Sequence, residues 1–153
     1  MAQIDIYTDG AARGNPGPGG YGIVMLSGQH RKELAAGYKL TTNNRMELLA
    51  VIVALETIKP AKHDIRIFSD SRYVTDAVNK GWIYGWIKKN WREVKNPDLW
   101  QRLLPLLKAY QPKFIWVKGH ADNPLNNRCD ELATAAADGK SLLRDTVYEA
   151  SRS

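Results

Sequence analysis

The chain has 153 residues, 44% of them hydrophobic and 25% charged, with 22 lysines and arginines against 16 aspartates and glutamates. This size and composition are typical of one globular domain over residues 1–153, and the single cysteine excludes an intramolecular disulfide. The formal charge of +6 favours an anionic partner, foremost nucleic acid, although many basic proteins bind nothing anionic in particular.

The ends and the hydropathy of the chain bear on its compartment. The N-terminus leads directly into a strand pattern without a signal-peptide pattern, and no apolar run is long enough to span a bilayer. Cys129 shares an apolar stripe with Leu132 and Ala133, so we interpret it as a small core residue rather than a nucleophile. We therefore expect a cytoplasmic protein that has no membrane partner and is by default a monomer.

The first part of the chain predicts three antiparallel strands. Residues 3–8 alternate between apolar and polar side chains, and Asp9 closes this strand. The glycine-rich stretch 10–20 predicts a long turn that cannot be helix or strand throughout. Two further strands are predicted over residues 21–26 and 32–40, joined as a hairpin.

The second part of the chain alternates between helix and strand patterns. The predicted elements are a helix over 44–58 that is buried on most sides, a strand over 64–69, a short helix from Ser71, an amphipathic helix over 98–110, a strand over 114–117 and a helix over 126–137. Residues after Gly139 carry little pattern and are expected to be loosely held. The order predicts an α/β fold, with a mixed sheet and helices on both faces.

Four acidic residues lie at or near the ends of predicted elements. Asp9 and Asp70 each close a strand, while Glu47 and Asp130 lie in the first turns of two apolar helices. Ligands of open α/β sheets bind at the carboxyl ends of strands, and carboxylates that converge from several elements suit hard cations such as Mg²⁺. A local acidic cluster in a basic chain indicates metal-dependent chemistry on a polyanion.

Each carboxylate also has a purely structural interpretation. Glu47 lies on an apolar helical face, where burying a carboxylate is costly unless the carboxylate is paired or bound to a metal. However, Asn44 to Glu47 also has the spacing of a capping box. Asp9 and Asp70 could be turn or N-cap residues. Asp130 could be solvated, although its neighbour Glu131 is the better surface partner for a nearby arginine.

Polar, aromatic and basic side chains offer contacts for a nucleic acid. The glycine-rich stretch allows close approach to a phosphate, and Asn15, Thr42, Asn43 and Asn44 supply neutral hydrogen-bonding groups. Residues 80–95 interleave tryptophans with lysines and arginines, a pattern suited to a nucleic-acid backbone. The alternatives are a loop that needs positive φ angles, and tryptophans that belong to the core.

His120 follows the last predicted strand on a loop. A lone loop histidine is more often a bystander, but at the carboxyl end of a strand it could transfer protons near neutral pH. Both interpretations stay open from the residues alone.

Six short motifs occur in a fixed order along almost the whole chain, up to about Ala137. They are Tyr7-Thr8-Asp9-Gly10, Gly14-Asn15-Pro16-Gly17-Pro18-Gly19-Gly20-Tyr21-Gly22, Thr41-Thr42-Asn43-Asn44-Arg45-Met46-Glu47-Leu48, Ser69-Asp70-Ser71, Trp116-Val117-Lys118-Gly119-His120-Ala121 and Asn126-Asn127-Arg128-Cys129-Asp130-Glu131-Leu132-Ala133. Together they resemble the type 1 ribonuclease H family, and its bacterial form closely. Any one motif is weak, but six in order leave little room for coincidence.

The resemblance implies a sheet of five strands, three antiparallel and two parallel, and Mg²⁺-dependent endonucleolytic cleavage of the RNA strand of an RNA–DNA hybrid. It implies two ions per site, with Mn²⁺ as a substitute, held by Asp9, Glu47, Asp70 and Asp130, and a mobile His120 that helps proton transfer or product release. The positions that it assigns to substrate binding are Gly10, Asn15, Thr42, Asn43, Asn44, Ser71, Arg72 and Asn126, together with a basic handle that includes Trp82, Trp86, Lys88, Lys89, Trp91 and Lys95.

The sequence departs from the family pattern at three places. Arg72 stands where glutamine is frequent, which alters a minor-groove contact, and Asn127 stands where glutamate is common near the active site. The handle is shorter and poorer in lysine than in some relatives. Two rival functions remain from other classes: a non-catalytic hybrid-binding protein with this fold, and a nucleotide-binding phosphotransferase built on a related sheet.

Overall fold

The computed structural model describes residues 2–119 and 122–152. Its elements are β1 (Ala2–Ala12), β2 (Gly17–Ser27), β3 (His30–Thr41), α1 (Asn43–Thr57), β4 (His63–Ser69), α2 (Arg72–Asn79), α3 (Trp82–Lys88), α4 (Pro97–Tyr110), β5 (Lys113–Trp116), α5 (Pro124–Ala137) and α6 (Thr146–Ser151). The strands form one sheet of order β3-β2-β1-β4-β5, in which β1, β2 and β3 are antiparallel and β4 and β5 run parallel to β1. The predicted mixed sheet is confirmed. Within the described ranges, no helix combines the length and the apolar character that crossing a membrane requires.

The prediction of a long turn over residues 10–20 is wrong at both ends. β1 continues to Ala12 and β2 begins at Gly17, with Ala12 paired to Gly19 across the ladder. The glycines serve packing instead: a side chain on Gly20 or Gly22 would collide with backbone atoms of α5. Their small size therefore lets α5 lie close against the sheet.

The core lies between the sheet and α1. Ten residues of α1 are buried, because β1 and β2 cover one side of the helix and α4 covers another. Ile6, Ile23 and Ile67 are fully buried in the same cluster. The prediction of a helix buried on most sides is confirmed, and α5 covers the opposite face of the sheet.

The expectation of a loosely held tail is wrong where the tail meets β3 and α1. The backbone N–H of Leu143 donates to Gly37 O (2.8 Å), and Leu143 O accepts from Lys39 N (2.9 Å). Asp145 is buried and accepts hydrogen bonds from Thr41 and Arg45. These partners lie about a hundred positions earlier in the chain, so the local pattern of the tail carries no sign of them.

Candidate active site

Three of the four predicted carboxylates meet at one edge of the sheet. One oxygen each from Asp9, Glu47 and Asp70 lies within 4.8 Å of the others. The parallel register pairs Thr8 with Ser69, so the residues that follow these two lie side by side at the carboxyl ends of β1 and β4. The sheet topology thereby brings together two carboxylates that are 61 positions apart in the sequence.

Glu47 reaches this edge because α1 crosses close above β1. A side chain on Gly10 would collide with the backbone of Met46 and Glu47, so glycine at this position permits the close approach. Glu47 Oε1 accepts a hydrogen bond from the N–H of Gly10 (2.8 Å), and the same N–H donates to Asp9 Oδ1 (2.9 Å). One backbone donor therefore ties the two carboxylates together.

Asp130 lines the same cavity, of about 370 Å³, but does not belong to the group of three. It is the seventh residue of α5 rather than a first-turn residue, because the helix begins at Pro124. Its neighbour Glu131 is exposed and contacts Arg128 (3.4 Å). The structure thus places Asp130 toward the carboxylates and Glu131 toward the surface.

The capping interpretations of two carboxylates are wrong. Thr42 caps α1 and accepts a hydrogen bond from Arg45 N, so Asn44 and Glu47 do not form a capping box. Ser71 caps α2 and accepts from Val74 N, so Asp70 is not the N-cap residue. Neighbouring hydroxyls fill both capping positions.

The carboxylates are electrostatically strained when no cation is bound. Burial raises the pKa of Asp9 to about 7, and the nearby Asp70 contributes in the same direction. Burial and the adjacent Asp9 raise the pKa of Glu47 well above its ordinary value. The two carboxyl groups therefore titrate together, and the pair shares a proton near neutral pH.

The donor set fits a divalent metal ion. All three groups offer carboxylate oxygens, the ligands that hard cations prefer. Glu47 Oε2 is buried and finds no hydrogen-bond donor among the described residues. A cation would satisfy this oxygen and offset the repulsion among the carboxylates.

Replacement of Asp9 by Asn is expected to stabilise the metal-free protein. When the pKa of a carboxyl is higher in the folded state than in the unfolded state, the protein loses stability as the pH rises between these two pKa values. For Asp9 they are near 4 in the unfolded state and about 7 in the folded state. Asp9→Asn should therefore increase the free energy of unfolding in EDTA by about 1–3 kcal/mol at pH 8, with no gain below pH 4. Urea unfolding across this pH range measures the difference.

Asp5→Asn is the matched control on the same strand, because Asp5 forms an ion pair with Arg66 (2.9 Å) instead of facing like charges. It should leave stability unchanged or slightly lower. A stability gain for Asp5→Asn equal to that of Asp9→Asn would contradict the explanation by repulsion.

Several predicted substrate-binding residues line a surface beside the carboxylates. Asn44 is exposed and lines both the carboxylate cavity and a neighbouring cavity of about 560 Å³. Asn15, Thr42 and Lys95 line the second cavity, and Asn15 Oδ1 accepts from Asn43 N (2.9 Å). The structure therefore joins these polar groups into one continuous surface with the acidic edge.

The predicted handle contains tryptophans in different environments. Trp82 is 44% exposed on α3, whereas Trp86 and Trp91 are partly buried and pack against the core. Trp86 meets the buried Trp100 edge to face, with 5.1 Å between ring centroids. Lys88 and Lys89 are exposed. Of the three tryptophans, Trp82 is the most exposed and therefore the most accessible to a ligand.

The remaining predicted residues are scattered. Ser71 lines the carboxylate cavity, and Arg72 is exposed beside it. Asn126 is buried, and its Oδ1 has no hydrogen-bond partner among the described residues. The predictions for His120 fall outside the described part of the chain.

Sequence reasoning missed two groups near the site. Trp116 lies in the motif that precedes His120, and its indole N–H donates to the backbone oxygen of Asp70 (3.1 Å). Arg45 is buried and donates to both Asp98 and Asp145, just beside the capped end of α1. Both residues lie within family motifs, and that position was the only sequence signal for either of them.

The fold and the site together define an α/β protein with a carboxylate site for a divalent metal ion. The RNase H family model matches residues 1–138. The chain is 55% identical to the Ribonuclease H of Desulforamulus reducens, covering 95% of this chain and 94% of that protein. It is 52% identical to the Ribonuclease H of Aeromonas hydrophila subsp. hydrophila, covering 97% and 99%. The chain belongs to the ribonuclease H family.

Solved structures agree with this assignment. LC9-RNase H1, described as a type 1 RNase H with the type 2 active-site motif, has a TM-score of 0.83 at 26% identity, covering 100% of this chain and 82% of that one. LC11-RNase H1, crystallised with an RNA/DNA hybrid, has a TM-score of 0.64 at 28% identity, covering 88% and 96%. The resemblance inferred from the motifs is confirmed.

Proposed function

We propose that this protein cleaves the RNA strand of RNA–DNA hybrids by Mg²⁺-dependent hydrolysis. The observation that carries the proposal is the convergence of Asp9, Glu47 and Asp70 within 4.8 Å on a chain of net charge +6. Relatives named Ribonuclease H support it, as does the RNA/DNA hybrid bound to LC11-RNase H1. We also propose one domain over residues 1–153, a monomeric state and a cytoplasmic location.

The chain's own residues would hold the metal ions and the scissile phosphate. Asp9, Glu47 and Asp70 would supply the oxygen ligands, and Asp130, which lines the same cavity, would supply a further carboxylate for a second ion. Bound Mg²⁺, or Mn²⁺ in its place, supplies Lewis-acid chemistry that lowers the pKa of water and neutralises phosphate charge. His120 stays a prediction for proton transfer or product release.

Substrate recognition would come from the groups around this cavity. Gly10, Asn43, Asn44 and Ser71 line or flank it and can contact sugars and phosphates, where the 2′-hydroxyl tells RNA from DNA. The surface that contains Thr42, Asn15 and Lys95 would bind the DNA strand. The handle would lengthen this binding surface. Contacts to sugars and phosphates carry little base information, so we expect weak sequence preference.

Neither rival function is favoured. A pure hybrid-binding protein gains nothing from converging carboxylates that face phosphates, since they repel a polyanion. A nucleotide phosphotransferase is disfavoured by the family assignment and by the basic tryptophan handle.

Cleavage of a labelled RNA–DNA hybrid tests the proposal directly. With Mg²⁺ we expect products from the RNA strand only, no products with EDTA, and no cleavage of matched RNA–RNA or DNA–DNA duplexes. Replacing Mg²⁺ by Mn²⁺ should preserve activity. Tight hybrid binding without cleavage under all metal conditions would contradict the enzymatic proposal and favour a binding protein.

A further inference from the structure

Trp116 contacts both residues that flank Ser71 at the edge of the carboxylate cavity. It ends β5, where the parallel register pairs it with Ser69, and it remains 38% exposed. Its indole N–H donates to the backbone oxygen of Asp70 (3.1 Å), and its ring face lies 3.9 Å from the guanidinium carbon of Arg72. One exposed side chain therefore fixes the segment that leads from β4 into α2.

The stacked guanidinium of Arg72 keeps its hydrogen-bond donors available. Arg45 and Arg66 also lie over aromatic rings, but each donates to carboxylates. Among residues 2–119 and 122–152, the guanidinium of Arg72 has no hydrogen-bond or ion-pair partner, and the residue is exposed. Stacking holds a guanidinium by its face and leaves its edge donors pointing outward, a geometry that matches phosphate oxygens.

We propose that Arg72, held on Trp116, binds a phosphate of the nucleic acid beside the carboxylates, and that Trp116 is a positioning residue for both Arg72 and Asp70. This inference rests on the proposed function, because the bound polyanion is the hybrid. It goes beyond a minor-groove contact at Arg72, since it assigns a phosphate as the ligand and gives Trp116 two separable effects. The ring acts on binding through Arg72, and the N–H acts on the catalytic step through Asp70.

Steady-state cleavage of the hybrid by six variants, which include a matched control and a double variant, separates these effects. Arg72→Gln should raise KM about tenfold with kcat within about twofold, and lower the slope of log KM against log salt by about one. Arg72→Lys should keep that slope but still raise KM, because a lysine stacks less well. Arg102→Gln is the matched control: it removes the same charge from an arginine paired with Glu56 on α1, and it should not change KM.

The tryptophan variants divide the ring from the N–H. Trp116→Phe retains a ring and should lower kcat about fivefold with little change in KM, as expected for loss of one hydrogen bond that orients Asp70. Trp116→Leu should in addition raise KM about threefold to tenfold. The double variant Arg72→Gln with Trp116→Leu should raise KM no more than Arg72→Gln alone, because both remove the same contact.

Several outcomes would overturn the inference while wild-type cleavage upholds the proposed function. They are additive KM effects in the double variant, an unchanged salt slope in Arg72→Gln, and a KM effect that depends on base sequence, which would indicate a base edge rather than a phosphate. Equal loss of melting temperature and activity in both tryptophan variants, without a split between KM and kcat, would reduce Trp116 to a structural residue. Absence of cleavage by the wild type would instead contradict the proposed function itself.

Discussion

Replacement of Asp70 by Asn is expected to lower kcat for RNA cleavage by at least about a thousandfold while the hybrid still binds. Asp70 supplies one of three carboxylate oxygens that lie within 4.8 Å of each other, and an amide cannot replace its charge toward a cation. Removing a negative charge that faces phosphate should also leave the Kd for the hybrid equal or lower. Single-turnover cleavage and fluorescence anisotropy measure the two quantities.

Asp64→Asn is the matched control for this variant. Asp64 lies near the other end of β4 and undergoes the same change of charge away from the carboxylate group. It should retain kcat within about twofold. Full activity of Asp70→Asn would contradict the assignment of Asp70 as a metal ligand, whereas equal losses in the two variants would indicate a general defect of β4.

Of the substitutions proposed here, replacement of Arg45 by Met should cause the largest loss of stability, a decrease of about 3–5 kcal/mol in the free energy of unfolding. The Arg45 side chain is 4% exposed and forms ion pairs with Asp98 (2.8 Å) and Asp145 (2.7 Å). Removing it leaves both carboxylates partly or fully buried without their cation, and it also detaches the tail from α1. Urea unfolding at pH 7 measures the loss.

Arg102→Met provides the exposed counterpart. Arg102 and Glu56 form an ion pair (2.6 Å) in which both side chains are more than a third exposed, so its loss should cost at most about 1 kcal/mol. A loss for Arg45→Met as small as that for Arg102→Met would show that the buried pairs contribute nothing net. Such a result would leave the docking of the tail to its backbone bridge with β3.

The pH dependence of the same network follows from Asp98. Burial by itself raises the pKa of Asp98, but hydrogen bonds and charge from Arg45 lower it below the ordinary value. A depressed carboxyl pKa contributes stability above the unfolded value that is lost as the pH falls through the folded value. The wild type should therefore lose this contribution on acidification below about pH 4, and Arg45→Met should not show it.

The elements that local pattern predicts well are those whose side chains repeat within one strand or helix. The alternation before Asp9 and the apolar faces of α1 can be recognised without knowing which elements they pack against. Burial of one face of a strand or helix imposes a fixed period on the sequence. The glycine-rich stretch 10–20 shows the limit of this reasoning. Its composition predicts a turn, but Gly10, Gly19 and Gly20 lie in paired strands, and Gly20 packs closely against α5, which begins about a hundred positions later.

The sequence by itself determined the mixed α/β fold, the basic character and the family, and it provided the four carboxylates as candidates. The chemistry of these carboxylates follows from residue type and from the order of the motifs, and both can be read directly from the sequence. Only the tertiary structure decided between competing roles. Thr42 and Ser71 cap α1 and α2, so Glu47 and Asp70 are not capping residues. Glu47 Oε2 has no hydrogen-bond donor among the described residues, and Trp116 donates a hydrogen bond to Asp70. Such choices depend on distances between groups far apart in the chain, which the packing of the sheet and its helices sets.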